Sequence, residues 1–175
     1  LEYHYDESVT VTPRNFPFQF RKENTLVTHY AMIGVATVAQ GYPLYYDATN
    51  EHGLSMAALN FPGNAHYFPE QEGKDNITPF EFIPWILSQC KNLEEARALL
   101  KNINLCNISF SEEFPLSPLH WMIADNAEAI VVESVKDGIN IYDILIDIAT
   151  HKKVNLTYRS LEAVNPENFT GKISC

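Results

Sequence analysis

Six histidines, three cysteines and one glycine–serine stretch are the side chains here that could carry chemistry unaided. The histidines (His4, His29, His52, His66, His120, His151) form no HxH or HExxH pair, so their spacing supports no metal site. The cysteines (Cys90, Cys106, Cys175) lie far apart and form no CxxC. Cys90 sits among apolar residues at helical spacing and is expected to be a packed core thiol. The run Gly53-Leu54-Ser55-Met56-Ala57 resembles a nucleophile elbow but lacks the second glycine and the helix that should follow. Taken alone, these residues make no complete active site, and nothing in them calls for a cofactor.

The elements that would position such groups are readable from periodicity. Val9 and Val11 alternate with Thr10 and Thr12, and Phe16, Phe18 and Phe20 alternate with Pro17 and Gln19. Both predict half-buried strands. Residues 29–38 (HYAMIGVATV) are nearly all apolar, as for a strand covered on both faces. Residues 44–48 and 54–61 flank Asn50-Glu51-His52-Gly53 and predict an antiparallel hairpin. Thr78, Pro79 and Glu81 read as a capping box with proline at the first helical position. Phe80, Ile83, Leu87 and Cys90 would share one face of that helix, with Pro84 kinking it or delaying its start. Asn92 caps a second helix, LEEARALLKN. Residues 119–125, 129–134 and 139–143 complete the pattern as strands. Sheet, helix pair and sheet again predict an α+β fold with mainly antiparallel strands.

Composition narrows the function classes. Among 175 residues 46% are hydrophobic, enough for a packed core. A net charge of -10 argues against nucleic acid or anionic membrane as partner, since both require clustered Lys and Arg. No apolar run reaches membrane-spanning length and no signal-peptide pattern is visible, so a cytoplasmic protein is expected. The Asn-x-Ser/Thr sequons, Asn76 and Asn107 among them, are then accidental. The sequence opens on Leu1 in mid-pattern, which predicts a processed or partial chain.

Several blocks resemble the choloylglycine hydrolase family, and its bile salt hydrolases more than its penicillin acylases. They are VTPRNFPFQFR at 11–21, HYAMIG at 29–34, YPLYYDATNEHGLSMAALNFPGN at 42–64, EGKDNITPFEFIPW at 72–85, and NISFSEEFPLSPLHWMIAD at 107–125, extended by AIVVESVKDGINIYD at 129–143. The resemblance implies an N-terminal-nucleophile hydrolase fold, an αββα sandwich of mainly antiparallel sheets, incomplete here at both ends. It implies cleavage of the amide of a glycine- or taurine-conjugated bile acid by an N-terminal cysteine whose own α-amino group handles the proton.

Carried over residue by residue, the resemblance assigns Asn60 to the oxyanion hole. It places Ala39, Tyr46, Phe110, Phe114, Ser117 and Leu119 along the steroid site. The family's nucleophilic cysteine, with an arginine and an aspartate, lies before the position matched by Leu1. A second oxyanion asparagine falls where this chain reads ILIDIATHKKV, and only NLTYRSL at 155–161 rejoins the pattern. Residues 1–143 are therefore expected to be a partial family domain and 144–175 a divergent or frame-shifted segment, the chain itself being inactive. The alternatives are a penicillin V acylase-like or acyl-homoserine lactone acylase parent, and a non-catalytic bile-acid-binding remnant. The family also implies a homotetramer.

Overall fold

The structure is a computed structural model in which residues 6–144 are described. Seven strands form one sheet: β1 (Ser8–Thr12), β2 (Met32–Ala39), β3 (Tyr42–Asn50), β4 (Ser55–Asn60), β7 (Leu119–Ala124), β8 (Ala129–Val135) and β9 (Gly138–Ile144). They lie in that order and every adjacent pair is antiparallel. Between β4 and β7 the chain leaves the sheet. There it builds β5 (Asp75–Ile77), a 3-10 turn (Pro79–Glu81), α1 (Phe82–Gln89), α2 (Leu93–Leu100) and β6 (Ile103–Leu105). β5 and β6 pair in parallel, a small second sheet that the sequence pattern did not announce.

The predicted sheet, helix pair and second sheet are thus one sheet with an excursion. β4 pairs with β7 from Ser55↔Ala124 to Asn60↔Leu119, joining the two halves edge to edge. α1 packs on β3 and β4 and covers one face. Trp121, Ile123, Met56 and Ile130 fill that interface, with Phe82 meeting Trp121 edge-to-face at 4.8 Å. Each such side chain contributes about 1.5–3 kcal/mol by leaving water.

The α1 sequence is buried on every side from Phe82 to Ser88, not along one stripe. Its start is delayed as Pro84 requires: the chain enters through the 3-10 turn, where Glu81 Oε2 accepts the Thr78 N–H at 3.0 Å. Asn92 caps α2 through its side chain, which accepts the Glu95 N–H at 3.0 Å.

Three strand readings need correction. The Phe16–Phe18–Phe20 alternation makes only an isolated Phe18↔Leu26 bridge, and the Phe16 N–H on one side of it is spent on Pro13 O at 3.0 Å in a turn. Its rings still reach the core, Phe18 fully buried and Phe20 meeting Trp85 edge-to-face at 4.9 Å. The 29–38 run becomes a strand only from Met32, and it is covered on one face, leaving Ile33 and Val38 half exposed. In β1 the alternation is right but the inward residues are not the valines. Thr12 is buried, its hydroxyl paired with the Tyr45 hydroxyl at 2.7 Å, while Val9 and Val11 are exposed.

Candidate functional site

Antiparallel order brings the ends of β2, β3, β4 and β7 to one edge of the sheet. β2 ends at Ala39, and the turn to Tyr42 uses Gln40 (φ 52°) and Gly41 (φ 76°), the left-handed pair that a two-residue hairpin demands. β4 ends at Asn60, directly opposite Leu119, the first residue of β7. β4 pairs with β3 only from Thr49↔Ser55 to Asp47↔Ala57 and runs on to Asn60 against β7 alone.

The Asn60 side chain is exposed. The turn after it is tied by other groups: Phe61 N–H donates to Pro118 O at 2.7 Å and Ala65 N–H to Phe61 O at 3.1 Å. Asn60 is therefore not the asparagine that holds its own turn, and its carboxamide faces outward on a rigid strand end. An exposed carboxamide N–H is a donor of the type an oxyanion requires. Beside it, Phe61 stacks on His120 with ring centroids 4.7 Å apart and planes 6° from parallel. His120 lies 3.7 Å from Glu133. Burial pushes the imidazole's pKa down and the carboxyl's up, so desolvation disfavours the charged form of each.

The loop before β7 carries the next three assigned residues. Phe110 lies 5.2 Å from Phe80, 6.0 Å from Tyr42 and 6.1 Å from Phe114, measured between ring centroids. Since Tyr42 is the register partner of Ala39, the hairpin tip and this loop meet. The loop closes on itself where Ser111 N–H donates to Phe114 O at 3.3 Å and Phe114 N–H to Ser111 Oγ at 3.2 Å. Tyr67 holds its far end, donating its hydroxyl to Ser117 O at 2.8 Å and accepting Leu119 N–H at 2.9 Å. Burial raises the Tyr67 phenol to about 12, keeping it a neutral donor.

Of the seven residues assigned from sequence, Ser117 and Leu119 are bonded to Tyr67, and Asn60 is the strand partner of Leu119. Ala39 is the strand partner of Tyr42, whose ring meets that of Phe110, and Phe110 in turn meets Phe114. Tyr46 lies within β3 with its hydroxyl 2.9 Å from that of Thr37. Sequence reasoning missed Tyr42, Tyr67, Phe80 and Arg21. Arg21 ends one of the matching blocks and Tyr42 begins another, but neither has a local pattern that marks it.

The self-sufficient candidates recede. Ser55 stands in β4 with its hydroxyl 2.8 Å from Thr49 Oγ1. Cys90 and Cys106 are buried thiols, and desolvation raises both pKa values, Cys90 to about 12. Cys175 lies outside the described residues. Asn76 is buried and its amide is bonded to Gln71 O and Lys74 O, which removes that sequon from the surface. An open cleft of about 490 Å³ lies at the opposite end of the sheet, lined by Arg14, His29, Glu51 and His52 and by no assigned residue. No helix among the described residues is long and apolar enough to cross a membrane.

Comparison with known proteins agrees with this fold. The model of a family described as linear amide C–N hydrolases, choloylglycine hydrolase family, matches residues 1–171. A bile salt hydrolase/transferase of Lactiplantibacillus plantarum is 48% identical over 98% of this chain and 56% of its own length. A crystal structure of a single-residue variant of the conjugated bile acid hydrolase from Clostridium perfringens superposes with TM-score 0.75 at 40% identity. That match covers 81% of this chain and 44% of that one. Penicillin V acylase from Agrobacterium tumefaciens shares the fold at TM-score 0.60 and 20% identity, over 79% of this chain and 42% of that one. The chain thus spans about half the length of the relatives it matches.

Proposed function

This chain belongs to the choloylglycine hydrolase family of linear amide C–N hydrolases, and from that premise we propose that it is part of a bile salt hydrolase. The observation that carries the reading is the exposed carboxamide of Asn60, held at the same sheet edge as the apolar loop of Phe110 and Phe114. A rigid, largely apolar acyl group needs an aromatic wall, and its scissile carbonyl needs a fixed donor.

In this reading an N-terminal cysteine thiolate of the whole protein attacks the amide carbon of a glycine- or taurine-conjugated bile acid. The carbonyl oxygen takes the electron pair, and Asn60 donates a hydrogen bond to it. One such donor is worth about 3–4 kcal/mol of transition-state stabilisation. The α-amino group passes the thiol proton to the departing amine, and water then releases the bile acid from the thioester. By itself, the 175-residue chain is proposed to bind without turnover. The reading includes a cytoplasmic location and a homotetrameric whole protein.

Titration of this chain with taurocholate and with penicillin V tests the reading. Saturable binding of taurocholate, tighter than that of penicillin V, is the expected result. Tighter binding of penicillin V would transfer the assignment to a penicillin V acylase-like protein. Binding of neither would sink the bile-acid pocket.

A further inference from the structure

We propose that Arg21 is a positioning residue that clamps the Phe110 loop into the wall of the acyl pocket. The inference deepens the function proposed above and rests on that reading.

Arg21 is held at both ends. Its backbone N–H donates to Glu81 Oε1 at 2.6 Å, and Glu81 is a fully buried carboxyl at the entry to α1. Its guanidinium then reaches over the aromatic cluster, Cζ standing 5.7 Å from the centre of the Phe80 ring and 5.5 Å from that of Phe110. From there Nη2 donates to the Phe110 carbonyl at 2.8 Å. The two contacts fix different properties of the loop. The hydrogen bond sets where the backbone runs, and the stacked cation sets how the ring lies.

The loop needs such a clamp. Between Tyr67, which holds Ser117 and Leu119, and the reciprocal bonds of Ser111 and Phe114, Phe80 is the ring that the helical excursion offers to Phe110. Phe110 is half-buried, and its ring contacts with Phe80, Tyr42 and Phe114 leave one side of the loop open to solvent, where Arg21 adds a polar tie. Arg21 ties it to the buried turn that begins α1, a helix whose residues from Phe82 to Ser88 are all buried. A wall fixed this way is preorganised for a rigid ligand and leaves less ordering to be done on binding.

Arg21→Ala and Arg21→Lys in the full 175-residue chain test the proposal by two measurements. The first is amide hydrogen exchange. The Ser111 and Phe114 N–H groups should exchange about tenfold faster in Arg21→Ala, the change expected for losing one charged hydrogen bond and a stacked cation, while Trp121 and Ile123 in β7 are unchanged. Arg21→Lys should fall between, since lysine keeps the charge but not the planar fork. Unchanged loop exchange, or equal acceleration in β7, would overturn the clamp, the latter because it marks a merely structural role. The second is taurocholate affinity, expected to weaken about tenfold in Arg21→Ala. Equal affinity in wild type and Arg21→Ala would remove Arg21 from the pocket. Failure of the wild type to bind taurocholate would instead refute the functional reading, and the exchange result alone would then decide the clamp.

Discussion

Replacing Asn50 by aspartate should be among the most damaging single-atom changes in this chain. Asn50 ends β3, is 4% exposed, and has its whole carboxamide engaged. Nδ2 donates to Leu87 O at 2.9 Å and Cys90 O at 2.7 Å, carbonyls at the C-terminal end of α1 that have no partner within the helix. Oδ1 accepts the N–H of His52 at 3.0 Å and of Leu54 at 3.1 Å, which shapes the turn into β4. Asn50→Asp preserves the shape and the two acceptor bonds but sets an oxygen against two carbonyl oxygens. Each stranded carbonyl costs about 1–3 kcal/mol, so the loss of both at neutral pH should be about 2–6 kcal/mol. A domain holds only about 5–15 kcal/mol in all.

The pH dependence gives this prediction a second edge. Burial against two carbonyls favours the protonated acid, so the aspartate's folded pKa lies above its unfolded value of about 3.9. Stability is then fuller below the unfolded value and falls as pH rises through the folded one. Acidification should shrink the deficit, because the protonated acid can donate to one of the two carbonyls. Urea unfolding, followed by the fluorescence of Trp85 and Trp121 at neutral and acid pH, measures both effects. A neutral-pH stability within about 0.5 kcal/mol of wild type, or a deficit that grows on acidification, would refute the reasoning.

Two further outcomes follow from other contacts. In Gly34→Ala the new Cβ would stand 2.0 Å from Asp47 O and 2.6 Å from Ala48 Cα. Backbone cannot retreat that far cheaply, so a loss of about 2–3 kcal/mol in the urea transition is expected, and an unchanged midpoint would mean the β2–β3 seam has room. Arg14 and Ala31 N–H hold the Glu51 carboxyl at about 2, below its ordinary 4.5. A depressed carboxylate contributes stability above its unfolded pKa that is lost as pH falls through the folded one. Melting curves of Glu51→Gln should therefore be flatter than wild type between about pH 4.5 and 2, and parallel profiles would exclude the ion pair as a source of acid sensitivity.

Much of this fold is legible because strand alternation and turn chemistry are local. Residues 50–53, 126–127 and 136–138 read as turns, and each joins the strands expected of it. What fails is non-local. The valines of β1 face outward and Thr12 inward because Tyr45, on the second strand over, offers a buried hydroxyl that no pattern within β1 reveals. The merging of two predicted sheets into one depends on β4 finding β7 across the whole helical excursion. The candidate site divides the same way. Asn60 comes from resemblance alone, since an asparagine at a strand end has no distinguishing period. The aromatic wall is half visible in the sequence: Phe110 and Phe114 lie in one loop, whereas Tyr42, Phe80 and Arg21 reach it from three other places in the chain.

The two ends of β4 explain why the proposed site belongs where it does. At the Ser55 end the nearby polar groups are committed. Asn50 is saturated, Ser55 pairs with Thr49, and Glu51 is gripped by Arg14 and Ala31. That end anchors the sheet to α1 and leaves little to offer a ligand, although the open cleft lies there. At the Asn60 end the situation is reversed. Asn60 is exposed, the Tyr42 hydroxyl and His120 Nδ1 are buried without a hydrogen-bond partner among the described residues, and Phe110 and Phe114 stay half-buried. Unmet polar atoms and open aromatic surface are a cost to stability wherever they occur. They are tolerable here because the strand that bears Asn60 is held rigid from its other end. In the proposed reading, Asn60 at the end of this six-residue strand donates to a charge that exists only while an amide is being broken.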